Sequence, residues 1–161
     1  MTLEKQLALL SRMADRDGAR WLSNLLWCAA AFLAIFTFSS LHIAYAFGAL
    51  FMAALAYACQ VTAGHIERAA KGLIAGPGRD VVVTVDVEEW SESVSYYAEV
   101  DNAAGQRWRF QFRPIGWTPV DGQTVATAYD LPETAWPVLL VLPDGIAYPC
   151  QAPTLVKTVA L

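Results

Sequence analysis

The chain has 161 residues, of which 56% are apolar and only 16% charged, and its formal net charge is −4. Soluble domains average about 45–50% apolar and about 25% charged residues, so an ordinary soluble fold cannot account for this composition. Residues 1–79 carry seven bases against four acids, whereas residues 80–161 carry four bases against eleven acids. Because so acidic a domain is repelled by phosphate backbones, nucleic acid is excluded as an expected partner.

The first twenty residues predict a short amphipathic helix. Their apolar residues recur at helical spacing and their bases fall on other faces. Such a helix can lie in the membrane interface, bind a partner or pack on the rest of the chain, and the sequence does not choose between these. The apolar stripe consists of Leu3, Leu7, Leu10 and Ala14.

Residues 21–63 predict a transmembrane helical hairpin. Residues 21–40 and 43–63 lack Asp, Glu, Lys and Arg, and each run can cross a hydrocarbon core of about 30 Å as a helix. The alternative for the first run is a cleaved signal peptide, which Ala44-Tyr45-Ala46 mimics at its cleavage site. About twenty residues would be unusually long for the segment preceding the apolar core, and the chain starts at Met1, so we expect no cleavage.

The basic residues predict the orientation of this hairpin. Four Lys or Arg precede the first span, three lie in the short segment of residues 64–79 after the second, and none lies in the turn at residues 39–42. The positive-inside bias then places both termini in the cytoplasm of a multi-pass protein in the bacterial inner (plasma) membrane, so the lipid bilayer is one expected partner. The spans contain no acidic or basic residue that could act as a proton relay or ion ligand.

Small residues crowd one face of the second span. They recur at intervals of three and four residues, which allows close approach of helix backbones. Packing against the first span and oligomerisation are both open interpretations. The helix-packing residues are Ala46, Ala49, Ala53 and Ala56.

Residues 64–79 predict a juxtamembrane linker, in which the helix continues until Gly76-Pro77-Gly78 stops it. Residues 81–87 then alternate Val with Thr and Asp, which is typical of a half-buried strand. Strands at 94–101 and 106–112 flank a turn ending at Gly105. The register in which Asn102 pairs with Gln106 places Glu99 opposite Arg109.

Further short strands are predicted at 124–129, 138–142 and 146–148, with turn residues between them. Residues 80–161 are therefore interpreted as a cytoplasmic, acidic, antiparallel β-barrel of OB-like or SH3-like type, and the fold class as membrane α plus all-β. A short membrane region followed by a small β-barrel, with the Gly122-x-x-Val125 strand start, resembles the NfeD-like membrane proteins. That resemblance implies a non-catalytic partner of a larger membrane assembly.

The sequence contains no motif for catalysis, a metal or a phosphate group. His42 and His65 lie at opposite ends of the second span, and the three cysteines form no Cys-x-x-Cys pair. The cluster of Glu88, Glu89 and Glu92 is interpreted as a solvated strand end, and Cys150 as a buried hydrophobic residue. We therefore expect no enzyme activity, no metal, no cofactor and no small-molecule substrate.

Four tryptophans in residues 80–161 exceed the needs of so small a core, so we expect one or two to be exposed. The candidate is Trp117, in a segment that two prolines stiffen and that holds Arg and Trp, both enriched at binding hot spots. The predicted partner-binding residues are Arg113, Pro114, Trp117 and Pro119.

The leading hypothesis is a non-enzymatic accessory or scaffold subunit of a membrane protein complex. The hairpin would anchor the chain, and the β domain would bind another membrane protein. The alternative is a homo-oligomeric pore or transport component assembled through the second span, whose partner is the protein itself.

Overall fold

The computed structural model describes residues 1–15, 18–40, 42–91 and 93–156. It divides the chain into two compact units. One unit contains Met1–Ala14 together with His65–Leu161, and the other is Asp15–Gly64. Leu41 in the predicted turn and Glu92 in the predicted acidic cluster lie outside the described residues.

The unit of Asp15–Gly64 is a pair of apolar helices. Helix α2 spans Gly18–Ser40, and helix α3 begins at Ile43. Both are long and apolar enough to cross a membrane. The hydroxyl of Ser23 donates a hydrogen bond to the carbonyl of Ala56 at 3.1 Å, and a Cβ added at Gly48 would lie 3.3 Å from Leu33, so the two helices approach closely.

Helix α3 does not end where the apolar run ends. It continues as one 33-residue helix, Ile43–Ala75, and stops at the Gly76-Pro77-Gly78 triplet. At 1.5 Å per residue its length is about 50 Å, which exceeds the thickness of a hydrocarbon core. Its last turns belong to the unit that contains the strands, where Ile66 and Ala69 are buried.

The N-terminal segment forms helix α1, Leu3–Asp15. Its predicted apolar stripe is confirmed, because all four residues pack in one cluster with strand residues and with the end of α3. Leu10 is fully buried there, beside Leu139 and Ile146. Among the three environments that the sequence left open, the structure places the stripe of α1 against the β domain.

Seven strands, within the described residues, form one curled antiparallel sheet in the order β6-β5-β4-β1-β2-β3-β7. The structure is therefore helical at the N-terminal side and all-β afterwards, as the sequence predicts. The strand bounds are β1 Arg79–Trp90, β2 Ser93–Asp101, β3 Arg107–Phe112, β4 Gly122–Tyr129, β5 Leu139–Val141, β6 Ile146–Ala147 and β7 Thr154–Leu155.

The predicted β2–β3 hairpin register is confirmed. Glu99 pairs with Arg109, and the backbone N–H of Asn102 donates to the carbonyl of Gln106 at 2.8 Å. Gly105 has φ of 75°, a left-handed conformation that costs glycine no steric strain. The alternation of Val in β1 is also confirmed as a buried face, because Val83 and Val85 are almost fully buried.

The sheet has a core on its concave face and a partial cover on its convex face. Phe110 and Phe112 contribute large side chains to the concave core. On the convex side, α1 and the end of α3 cover residues of β5 and β6. Gly72 of α3 lies so close to Val138 that a Cβ there would be 2.6 Å from the valine methyl group.

The C-terminal segment links the two edges of the curled sheet. Strand β6 pairs with β5 at one edge, Pro149 forms a bridge with Phe112, and β7 then pairs with β3 at the other edge. The sequence did not predict β7, because two paired residues are too few to produce a periodic pattern.

Candidate docking site

Trp117, predicted to be the exposed anchor, is in the wrong place for that role. Its indole stacks on Phe112, with ring centroids 6.1 Å apart and planes 13° from parallel, and it packs on the concave core. Its Nε1–H donates to the carbonyl of Ile146 at 3.1 Å. Gly145 allows this approach, because a Cβ there would overlap the indole ring. Trp117 is therefore a packing residue that holds its loop against β6.

The rest of the 113–119 loop also contacts its own chain. Pro119 is buried and Pro114 half-buried, while Arg113 is exposed. The amino group of Met1 donates to the carbonyl of Gly116 at 3.0 Å, and Gly116 has φ of 73°. Its positive φ and the proximity of Met1 both disfavour a larger residue there.

Gln6 is a structural residue that the sequence interpretation missed. Its side chain is fully buried, Nε2 donates to the carbonyl of Asp144 at 3.3 Å, and Oε1 accepts from the backbone N–H of Ile146 at 3.0 Å. The side-chain amide thus supplies a backbone-like partner for the edge strand β6. Its spacing of three residues from Leu3 and four from Leu10 is the signal that could have placed it on the buried face.

The convex face of β1–β3 carries an ionic network centred on Arg109. The guanidinium lies 2.8 Å from Glu88, 3.3 Å from Glu99 and 3.5 Å from Asp86, and it stacks over the ring of Tyr97 at 4.7 Å. The predicted Glu99–Arg109 contact is therefore present, and Glu88 belongs to a charge network rather than to a merely solvated strand end.

Further along this face, Arg107 binds Asp101 through two hydrogen bonds of 3.0 and 3.3 Å. This hydrogen bond from Arg107 lowers the pKa of the Asp101 carboxyl below its ordinary value. The described bases of the convex face are thus occupied by acids of the same face, which leaves the surface acidic.

The β1–β2 hairpin extends beyond its neighbours. Strand β1 pairs with β4 only as far as Val85, and β2 pairs with β3 only from Tyr96 onward. Residues 86–90 and 93–95 therefore form a two-stranded ribbon without a third strand among the described residues. We call this segment the β1–β2 ribbon.

The end of the β1–β2 ribbon bears the exposed tryptophan of the β domain. All four tryptophans of residues 80–161 are described, and Trp90 is 69% exposed whereas the other three are half-buried. The expectation of one or two exposed tryptophans is confirmed, but the choice of Trp117 is wrong. The next cross-strand pair, Glu89 and Val94, is also exposed and lies on the opposite face of the ribbon from Trp90. Glu89 has no ion pair with another described residue.

The small-residue face of α3 has two different environments within the helical unit. Ala56 is buried against α2, as the packing interpretation requires. Ala46 is exposed, and Ala49 and Ala53 are half-buried. These three line an apolar groove of about 530 Å³ between α2 and α3, together with alanines and aromatic residues of α2.

Two further places were candidates for chemistry, a metal site and the thiol of Cys150. No three His, Cys, Asp or Glu side chains there are close enough to hold a metal ion. Burial raises the pKa of the Cys150 thiol, and Arg113 opposes this shift without reversing it, so the reactive thiolate is disfavoured at neutral pH. A cleft of about 440 Å³ beside the 102–104 turn contains Asp130, which is already paired with Arg79 at 3.0 Å.

Comparison of the chain with models of known protein families, with curated proteins and with solved structures finds no match.

Proposed function

We propose that the protein is a non-enzymatic accessory or scaffold subunit of a membrane protein complex. Helices α2 and α3 anchor it as a multi-pass hairpin in the bacterial inner membrane, with both termini in the cytoplasm. The curled sheet, as a small cytoplasmic barrel of OB-like or SH3-like type, binds another membrane protein. A likeness to the NfeD-like proteins would fit this role.

The observation that carries this proposal is the packing of α1 on the β domain. Gln6 and Leu10 precede the first apolar helix, and they are buried against residues that follow the second one. Because both flanks of the hairpin belong to one folded unit, both must lie on the same side of any bilayer that the hairpin crosses. Two antiparallel crossings meet this requirement, and the excess of bases in the flanks favours the cytoplasmic side.

The distribution of polar groups supports a binding role over an enzymatic one. The ionisable side chains of the convex face are used in pairs such as Arg107–Asp101. Cys150 has a raised pKa, and the donors beside it do not include a histidine among the described residues. By contrast, the β domain exposes Trp90 at the end of a ribbon, which is a feature of docking surfaces.

The test is purification of the tagged full-length protein from its native membranes in a mild detergent, after crosslinking in intact cells. We expect a second membrane protein to co-purify at a constant ratio over two chromatographic steps. A monomer without a crosslinked partner would contradict the proposal.

A second candidate function, a homo-oligomeric pore or transport component, is favoured by the open groove at Ala49 and Ala53. A second copy would have to fill this groove. Replacing both alanines by Leu fills it from within one chain and would then lower the oligomeric mass in detergent. Replacement of Ala58, an exposed alanine of the same helix outside the groove lining, is the matched control. An unchanged mass in both variants contradicts this candidate.

A further inference from the structure

The β1–β2 ribbon has unused binding capacity along its edge. The backbone N–H of Val87 donates to the side chain of Asp121 at 3.1 Å, so this residue directs its backbone groups away from β2. Alternate residues of a strand direct their backbone groups to the same side. The backbone N–H and C=O of Glu89 therefore point to the same edge, beyond the end of β4. An isolated two-stranded ribbon is only marginally stable in water, so a partner that covers it would stabilise it.

The ribbon end also offers an apolar anchor. Trp90 is exposed on one face and Val94 on the other, and neither belongs to a core cluster of the described residues. A large aromatic side chain has only two rotatable side-chain bonds, so it loses little conformational entropy when it enters a pocket. Trp90 closes the hairpin by pairing with Ser93, which fixes the direction of its backbone.

Charge specifies the chemistry of the partner. The segment of residues 80–106 contains seven acids and no Lys or Arg. Arg109 of β3 neutralises part of this charge at Glu88 and Glu99, but Glu89, on the opposite face of the ribbon from the tryptophan, is exposed and has no ion pair with a described residue. An anionic lipid surface would be repelled by this ribbon, whereas a protein surface rich in Lys and Arg would be attracted.

We infer that the end of the β1–β2 ribbon inserts into a cleft of a protein partner, in which Trp90 enters an apolar pocket on one wall and Lys or Arg residues of the other wall face Glu89 on the opposite face of the ribbon. This inference rests on the proposed accessory function and adds to it the binding surface and the chemistry of the partner. The 113–119 loop takes no part, because Trp117 is committed to the core.

The test uses the full-length protein in its native membranes. A photo-reactive phenylalanine analogue is placed at position 90 in one variant and at position 125 in another, since Val125 is similarly exposed on β4. We expect position 90, but not position 125, to crosslink to a protein segment with an excess of Lys and Arg. Crosslinks only to lipid, only to a second copy, or equally from both positions would overturn the inference.

Affinity for the captured and purified partner gives the second measurement. Trp90→Ala should weaken binding about thirtyfold, as expected for a hot-spot residue. Glu89→Lys should weaken it at least about tenfold, and the loss should shrink as salt is raised. Glu133→Lys makes the same charge change at an exposed site in another loop and should have at most about a twofold effect.

The outcomes separate the two proposals. Suppose that the wild-type protein co-purifies a membrane protein, and that the Trp90→Ala and Glu89→Lys variants each bind this partner as well as the wild type does. The ribbon is then not the interface, and the accessory function stands. If no partner accompanies the wild-type protein, the accessory function fails and the inference fails with it. Equal losses with Glu89→Lys and Glu133→Lys would show that only net charge matters and would also overturn the inference.

Discussion

The position of Trp117 can be tested by truncating its side chain. Trp117→Ala removes the stack on Phe112 and the hydrogen bond to the carbonyl of Ile146. Each of these contributes about 0.5–1.5 kcal/mol. Large-to-small changes of a packed aromatic cost about 3–5 kcal/mol in total. Because the indole is only half-buried, we expect a loss near the lower end, about 3 kcal/mol of the free energy of unfolding.

The assay is thermal unfolding of the full-length protein in detergent. The unfolding is monitored by near-ultraviolet circular dichroism, which reports the packing of the aromatic residues of the β domain. A loss of about 3 kcal/mol should lower Tm by roughly 12–24 °C for a domain of this size. Trp117→Phe, which retains a stacking ring but no N–H donor, should lose only about 1 kcal/mol. A Tm within about 2 °C of wild type for Trp117→Ala would refute the assignment of this residue to the core.

A double-mutant cycle with Gly145 tests the contact with Trp117 directly. It compares the cost of one change in two backgrounds, so an unspecific loss of stability in the Trp117→Ala variant cancels. Gly145→Ala would place a methyl group into the indole of Trp117 and should cost about 1–3 kcal/mol. In the Trp117→Ala background this obstacle is absent, and the added cost should fall below about 0.5 kcal/mol. Equal costs in both backgrounds would show that the two residues do not touch.

Three further expectations concern other contacts of the same domain. Gln6→Leu leaves the β6 backbone N–H without its partner and should destabilise the domain by about 1–3 kcal/mol in thermal melts, whereas Lys5→Ala, an exposed neighbour, should have almost no effect. Gly72→Ala should destabilise by about 1–3 kcal/mol through a clash with the adjacent valine, whereas Gly64→Ala, which has open space around its Cβ, should be neutral or stabilising. The rate of alkylation of Cys150 should be lower at pH 7.5 than that of a free thiol, and this rate should rise as pH passes the raised pKa of Cys150. The Cys150→Ser change should leave the melting temperature and partner binding almost unchanged. Fast alkylation at neutral pH would contradict the burial of this thiol.

Local sequence patterns predict the structure correctly where one repeat of apolar residues and one turn are enough to specify it. The β2–β3 register follows from the alternation of apolar residues on both strands and from a glycine that accepts positive φ, so the sequence alone predicts that Glu99 lies opposite Arg109. The apolar stripe of α1 and the stop of α3 after Ala75 follow in the same way from helical spacing and from a Gly-Pro-Gly triplet.

Composition also limited the candidate site without locating it. An excess of tryptophan over core volume predicts that some indole is exposed, but it does not say which one. The two prolines around Trp117 favour it as the exposed residue, yet the conformation of their loop places the ring on Phe112, and the absence of a Cβ at Gly145 allows this contact. Trp90 is exposed because β1 extends past the end of its pairing with β4. The sequence of β1 does not show where its neighbour in the sheet ends.

By itself, then, the sequence determined the two apolar helices, the acidic β-rich remainder and the pairing of β2 with β3, because these depend on residues close together in the chain. Tertiary structure decided the partner of α1, the burial of Gln6 and the closing path of the C-terminal segment from β5 to β3. These contacts join residues up to 140 positions apart. Helical spacing shows which face of α1 is buried, but it does not show which distant surface covers that face, because the match depends on shape and hydrogen bonding between the two surfaces.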